Sequence, residues 1–263
     1  KVTWDGEHYQ VMALAGGGTE VALYDAMGIL VAEPKLVLED FGSVFVEADY
    51  RTDPVSGDTW WSFTSGSATT WVAGWDRQLN ALTPNKKGVL VQGKGLAMGS
   101  YSGLSIDETG VFVASGSLDY WSAFKMNRQG EVEWLRTMKS RVVAFVNDST
   151  KTGSRYFSLF APFRREDGSW SVLASDFSHT YRYDFDAAGN VGPESQVTTY
   201  SRCDTKLTCA SPGVAAIYHS IKQANGETWL GFQDNSLARP QDKLRDPQQW
   251  YRMIKIEDGC QSA

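Results

Sequence analysis

A pair of turn signals that recurs five times constrains this chain more than any other feature. The first is a glycine turn followed within a few residues by an aromatic side chain and an apolar run. It occurs as Asp5-Gly6-Glu7-His8-Tyr9, Ser56-Gly57-Asp58-Thr59-Trp60, Thr109-Gly110-Val111-Phe112, Asp167-Gly168-Ser169-Trp170 and Asn225-Gly226-Glu227-Thr228-Trp229. Its glycines, at positions 6, 57, 110, 168 and 226, are 51, 53, 58 and 58 residues apart. The second signal follows one strand later, as an apolar residue, an Asp, Asn or Glu, and usually a Gly. It occurs as Tyr24-Asp25-Ala26-Met27-Gly28, Trp75-Asp76-Arg77-Gln78-Leu79, Met126-Asn127-Arg128-Gln129-Gly130, Phe185-Asp186-Ala187-Ala188-Gly189 and Ile256-Glu257-Asp258-Gly259. The second copy has Leu79 in place of its glycine, and the fifth is one residue short. Glycine takes the positive φ of a tight hairpin without a steric penalty, and Asp or Asn bonds its own backbone across the corner.

Between the turns the chain alternates and is rich in aromatic and β-branched residues, as in 43–50, 156–163 and 180–185, which predicts strands. Each unit offers three clear strands, and a fourth is expected near Lys35 to Leu38, Gly88 to Val91, Glu131 to Leu135 and Gln196 to Tyr200. Four short antiparallel strands every fifty-odd residues is the pattern of a propeller blade. The expected fold is all-β: a single five-bladed β-propeller with blades near 1–42, 43–95, 96–148, 149–211 and 212–263. The longer third-to-fourth spacing also admits a sixth, degenerate blade between Arg136 and Arg155. A pair of β-sandwiches is the alternative, and no 3.6-residue periodicity supports a helical fold.

The turns Gly57-Asp58-Thr59-Trp60 and Gly226-Glu227-Thr228-Trp229 resemble the second half of the Asp-box hairpin of sialidases and related propeller repeat proteins. The Asp that names that motif falls at Val55 and Ala224 here. The resemblance implies a propeller, with the turns structural and away from any catalytic centre. No Phe-Arg-Ile-Pro-like segment supplies a sialidase's arginine cluster.

The chain has 263 residues with 25 Lys+Arg against 31 Asp+Glu, a formal net charge of -6, and no dense basic run. That balance excludes nucleic acid or an anionic membrane surface as the main partner. No apolar stretch approaches the roughly 20 residues of a membrane-spanning helix. Lys1 is preceded by no initiator Met or apolar leader, so processing or design is expected to have removed whatever came before it. Cys203 and Cys209, five residues of loop apart, are the expected disulfide, with Cys260 as an odd third. That pairing places the protein in the periplasm or outside the cell.

For catalysis, the acids Asp5, Glu47, Asp49, Asp107 and Asp184 are candidates on inner strands, where glycoside hydrolysis needs a carboxylic acid and an ionised carboxylate about 5–9.5 Å apart. Turn chemistry explains Asp5, Asp107 and Asp184 equally well, and Glu47 and Asp49 are expected to share one solvent face of a strand. The histidines His8, His179 and His219 fall in three different blades, so only a central channel brings them together as a zinc site, and loop histidines are the default. Gly16-Gly17-Gly18 lacks the Lys and helix of a phosphate loop and is expected to be a hairpin. No catalytic set, metal or cofactor is assigned.

The ten Trp, eleven Tyr and twelve Phe are the unusual part of the composition. Tyr9, Trp60, Phe112, Trp170 and Trp229 share one repeat position and Tyr24 and Trp75 another, so these are expected to pack between blades. Trp61, Trp121 and Trp250 are less tied to the repeat and are the candidate binding aromatics. Arg239, Asp242 and Arg245 join them, in the irregular insertion from Asp234 to Gln249. The expected function is a monomeric, non-enzymatic binding propeller that engages a protein partner in an inhibitor, immunity or envelope-assembly role. A carbohydrate-binding lectin is the alternative, followed by a glycoside hydrolase of the five-bladed type.

Overall fold

The computed structural model describes residues 1–15, 18–39, 46–64, 69–84, 86–94, 96, 102–116, 120–140, 143–146, 152–155, 159–165, 167–175, 179–199, 215–222, 228–234 and 250–256. Every regular element among them is a strand, and no helix is long and apolar enough to cross a membrane. The first sheet is β1 (Val2–Trp4), β2 (Tyr9–Ala15), β3 (Gly18–Tyr24) and β4 (Leu30–Glu39), in that order. The second is β5 (Val46–Thr52), β6 (Thr59–Thr64), β7 (Thr69–Trp75) and β8 (Val89–Gln92). The third is β9 (Gly103–Asp107), β10 (Gly110–Gly116), β11 (Tyr120–Asn127) and β12 (Val132–Lys139). A two-stranded hairpin follows, β13 (Val143–Val146) with β14 (Thr152–Arg155). The fourth sheet is β15 (Leu159–Arg164), β16 (Trp170–Ser175), β17 (His179–Phe185) and β18 (Ser195–Thr199). The last has three described strands, β19 (Ala215–Lys222), β20 (Thr228–Asp234) and β21 (Trp250–Ile256).

All pairings are antiparallel between sequence neighbours. The first strand of each large sheet lies against the first strand of the next, β1 by β5, β5 by β9, β9 by β15 and β15 by β19. First strands therefore stand at the centre and last strands at the rim, which is β-propeller architecture. The segment between Arg136 and Arg155 completes β12 and then forms the β13–β14 hairpin, and β9 still touches β15 directly, so the hairpin is not interposed between the third and fourth sheets.

Neighbouring sheets pack face to face. Met12, Leu23 and Val37 of the first meet Trp61, Phe63 and Trp75 of the second. Trp60 and Val72 of the second meet Val111, Val113, Phe124 and Met126 of the third. Phe112, Trp121 and Trp134 of the third meet Phe160, Trp170 and Phe185 of the fourth. Trp60 and Trp61 thus fill opposite interfaces, as the two-residue alternation of a strand requires. Phe112 stacks on Trp170 with ring centroids 4.9 Å apart, and Trp134 on Phe185 at 5.6 Å. Such pairs contribute about 0.5–1.5 kcal/mol beyond their buried area.

The expectation that Tyr9, Trp60, Phe112 and Trp170 share one position is corrected by the register. The first turn closes at Trp4–Tyr9, Thr52–Thr59, Asp107–Gly110 and Arg164–Trp170, with a different loop length each time, whereas the second turn follows the pairs Tyr9–Tyr24, Thr59–Trp75, Val111–Met126 and Trp170–Phe185. The equivalent residues are Tyr9, Thr59, Val111 and Trp170, whereas Trp60 and Phe112 lie one residue further on and face the following sheet. Tyr9 is accordingly 42% exposed on the open face of the first sheet, with Trp4 beside it at 39%.

The second turn is one five-residue motif used four times. Asp25, Asp76, Asn127 and Asp186 each take a backbone N–H four residues on with the side chain, at 2.8–2.9 Å. The fourth position has φ of 79° at Gly28, 62° at Leu79, 80° at Gly130 and 77° at Gly189. Leu79 accepts the strained conformation because its side chain, 3% exposed, belongs to the core between the first two sheets. Positive φ costs a branched residue about 1–2 kcal/mol, whereas deleting a buried Leu costs about 2–5 kcal/mol. Leu79→Gly, although it restores the repeat, is expected to lower the urea-unfolding free energy by about 1–3 kcal/mol; a gain in stability would contradict this assignment.

Candidate active site in the central channel

The first strand of each sheet is paired on one side only, so its other edge, with unpaired N–H and C=O groups, faces the channel. The five candidate acids separate by their relation to that edge. Asp5 is fully buried and closes its own turn, accepting from Glu7 N at 2.9 Å, His8 N at 2.7 Å and Gln10 Nε2 at 3.1 Å. Asp107 accepts from Thr109 N at 2.7 Å and Gly110 N at 3.1 Å and pairs with Arg164 of the next sheet. Asp184 accepts from Arg182 Nε at 2.7 Å and from the Ser171 hydroxyl. Asp5 and Asp107 are thus committed to turns and sheet-to-sheet contacts, and Asp184, on the third strand of its sheet rather than an inner strand as expected, is held by partners within that sheet.

Asp49 differs. Its Oδ2 accepts from Leu104 N at 3.0 Å. β9 is paired only with β10, so an N–H taken by a side chain from the second sheet lies on the free, channel edge of β9. The carboxylate is 17% exposed and Arg51 Nη2 stands 3.4 Å away. Near it, Ser62 Oγ and Ser102 Oγ are 3.2 Å apart. The following residue is Gly103, where a Cβ would lie 2.0 Å from Phe160 O and 2.6 Å from Pro162 Cδ. β9 and β15 therefore approach more closely than any side chain permits.

The side chain of Glu47 lies outside the described residues, but its backbone register is defined. Val46 pairs with Thr64 and Ala48 with Phe63, so Glu47 is the extra residue of a β-bulge. His8 stands at the first turn, 3.9 Å from both Asp5 and Glu7, while His179 opens β17 and His219 lies within β19. Among the described residues no three His, Cys, Asp or Glu side chains form a group suited to a metal ion.

The candidate binding aromatics are corrected where they are described. Trp61 is 6% exposed between the first two sheets, and Trp121 is fully buried against Phe160 and Tyr183, so neither offers a surface. Trp250 opens β21, but its side chain lies outside the described residues, as do Arg239, Asp242, Arg245, Cys203, Cys209 and Cys260.

Sequence reasoning missed a set of arginines that tie adjacent sheets at the turn end. Arg77 donates to Asp5 O at 2.9 Å, and Arg128 pairs with Asp58. The signal was present as the Arg after Asp76 and after Asn127. Burial pushes the Asp58 carboxyl above its ordinary 3.8, and the Arg128 guanidinium pulls back only part of that rise. A carboxyl that holds its proton more tightly in the folded state favours folding most below its unfolded value and loses that contribution as pH rises through the folded one. Asp58→Asn removes this titration. Its Tm relative to the wild type is expected to climb as pH rises from about 3.8 through the folded value; a relative fall across that interval would contradict the burial argument.

The chain matches no protein-family model and no curated protein. Among solved structures it is similar to the alpha-L-arabinanase of Cellvibrio cellulosa, with 13% identity over 98% of this chain and 90% of that one and a TM-score of 0.46. It is also similar to the GH43 protein BlXynB of Bacillus licheniformis, at 12% identity over 97% and 53% of the two chains with a TM-score of 0.44. A luciferin-regenerating enzyme matches at 10% identity over 96% and 76%, with a TM-score of 0.48. The expectation of a non-enzymatic propeller that engages a protein partner finds no support among these structures, which include an arabinanase and a luciferin-regenerating enzyme. The fold does not distinguish a binder from an enzyme, so function rests on the site.

Proposed function

We propose that the chain is a glycoside hydrolase whose chemistry takes place in the channel at Asp49, with the five large sheets as the five blades near 1–42, 43–95, 96–148, 149–211 and 212–263. The observation that carries this is the placement of the Asp49 carboxylate at the free edge of the neighbouring inner strand, with one oxygen held by Leu104 N. Hydrolysis of an acetal needs a carboxylate to take a proton from the attacking water while a second group protonates the leaving oxygen. Asp49 suits the first role, and Arg51 keeps the carboxylate oriented along the strand.

The same pair argues for a neutral sugar. Arg51 already balances Asp49, and the chain as a whole has a net charge of -6, which disfavours an anionic sugar such as a phosphate or uronate. A periplasmic or extracellular location goes with this reading, where polymeric glycans are met. A panel of 4-nitrophenyl glycosides, neutral and uronic, tests it. Turnover of at least one neutral member and none of the uronides is expected. Absence of turnover across the panel, or turnover of the uronides alone, would overturn the proposal.

A further inference from the structure

Resting on that proposal, we infer that a row of hydroxyls between the second and third sheets, joined by a buried water at Ser115, carries the proton from Asp49 to the rim. Pairing fixes the inner end of the row. Asp49 stands opposite Ser62 of β6, so the two share the face that meets the third sheet. Ser62 is fully buried, and its Oγ lies 3.2 Å from that of the buried Ser102. Gly103 pairs with Ala114, which makes Ser102 and Ser115 the next residues along the two chain segments. Ser115 pairs in turn with Ser122, and Ser122 with Thr137. Ser122 Oγ has both Thr137 Oγ1 and the Lys94 carbonyl at 2.9 Å. Thr137 is exposed, on the outermost strand β12. The row therefore begins at the channel edge, crosses the third sheet through buried serines, and reaches solvent at the rim.

The propeller does not require hydroxyls at these places. Around them the seam is apolar, with Trp60, Val72, Leu104, Val113 and Phe124. The corresponding rung, on the face that meets the preceding sheet, is Phe63 and Trp71 in the second sheet and Ala174 and Tyr181 in the fourth. The second, independent observation is Ser115 itself. It is fully buried, and its Oγ has no hydrogen-bond partner among the described residues. A buried hydroxyl left in that state is costly, and a polar pocket satisfies it with an ordered water held by roughly two to four groups. Ser102 and Ser122, on the chain segments either side of Ser115, supply the other hydroxyls for such a water. Thr70, paired with Val91 of the same seam, is a further fully buried hydroxyl without a partner among the described residues.

A sugar in the channel covers Asp49 and separates it from bulk water, so the proton it takes up needs another way out. Paired residues have Cβ atoms about 4.5–5.5 Å apart, within reach of a carboxylic acid and a hydroxyl. In the reaction, water attacks the anomeric carbon, its oxygen forms the new bond, and its proton goes to Asp49. Asp49 passes that proton to Ser62 as the Ser62 hydroxyl gives its own to Ser102. Ser102 hands one on through Ser115 and its water to Ser122, Ser122 to Thr137, and Thr137 to solvent. Every hydroxyl ends with one proton, as it began, and rotation about its C–O bond restores the starting orientation. The sum is one proton moved from Asp49 to bulk water. The serines act through Asp49 and are positioning residues.

Two measurements test the row. The first is a crystal structure of the wild type that shows ordered solvent. A water within about 3.2 Å of Ser115 Oγ and of a second hydroxyl of the row is expected, and a dry seam at Ser115 overturns the inference whether or not any glycoside is cleaved. The second is the solvent deuterium isotope effect on kcat with the best neutral aryl glycoside, for Ser115→Ala and for Val113→Ala, a change in the same seam that removes no hydroxyl. Ser115→Ala is expected to lower kcat by about tenfold at unchanged KM and to raise the isotope effect, because proton exit becomes the slow step. Val113→Ala is expected to keep the wild-type isotope effect. A Ser115→Ala enzyme with wild-type kcat and isotope effect, or a Val113→Ala enzyme that shifts both equally, overturns the relay. Water at Ser115 with no turnover by the wild type overturns the hydrolase proposal instead and leaves the hydrated row standing.

Discussion

Asp49→Asn is expected to lower kcat on the best neutral aryl glycoside by about 10²- to 10⁴-fold, the usual worth of a positioned general base, while leaving the fold in place. Asparagine has nearly the same volume and keeps an oxygen that accepts from Leu104 N, the bond that ties β5 to the free edge of β9. What it removes is the charge and the capacity to take a proton. The lost ion pair with Arg51, whose side chain is 25% exposed, contributes no more than about 1 kcal/mol, so far-ultraviolet circular dichroism and Tm should stay close to the wild type. Asp49→Ala is expected to lose both activity and part of the stability, because the Leu104 N–H is left without its acceptor. An Asp49→Asn protein that turns over within twofold of the wild type would exclude this carboxylate as the base.

Trp121→Ala is expected to be the most destabilising single change in the described core, at about 3–5 kcal/mol. The side chain is fully buried and lies between sheets, with Phe160 at 5.5 Å, Tyr183 at 4.8 Å and Phe185 at 6.2 Å between ring centroids. Its removal empties the seam that binds the third sheet to the fourth and unpacks rings from both. Urea unfolding followed by circular dichroism measures the loss. A cost below about 1 kcal/mol, with binding of a ligand abolished, would return Trp121 to the surface role that its place outside the repeat had indicated.

What could be read from the sequence follows the distance over which each determinant acts. Turns are local: Gly28, Gly130 and Gly189 mark positive φ, Asp25 and Asp186 fold onto their own backbone, and the spacing of these signals gives four-stranded sheets and a propeller. Leu79 breaks the pattern because burial outweighs turn preference at that residue. The aromatic rows were misaligned because the first turn changes length between sheets, so equal spacing from glycine does not mean equal rung. Trp61 looked free of the repeat, yet alternation along β6 gives it the opposite interface from Trp60.

The site was less legible than the fold for a similar reason. Nothing local distinguishes Asp49 from Asp5 or Asp107; the difference is that its partner is the channel-edge N–H of another sheet. The bulge at Glu47 leaves no mark in the sequence, since it is defined by the pairing of Val46 and Ala48 with a strand more than a dozen residues away.

The most direct test is the location of a bound sugar. Crystals of the Asp49→Asn protein, soaked with a neutral oligosaccharide chosen from the aryl-glycoside panel, should show a glycosidic bond in the channel, its anomeric carbon separated from the residue-49 side chain by a single water. A saccharide seated instead on the exposed Trp4 and Tyr9 rings, 4.8 Å apart on the open face of the first sheet, with the channel empty, would contradict the account and make the protein a lectin.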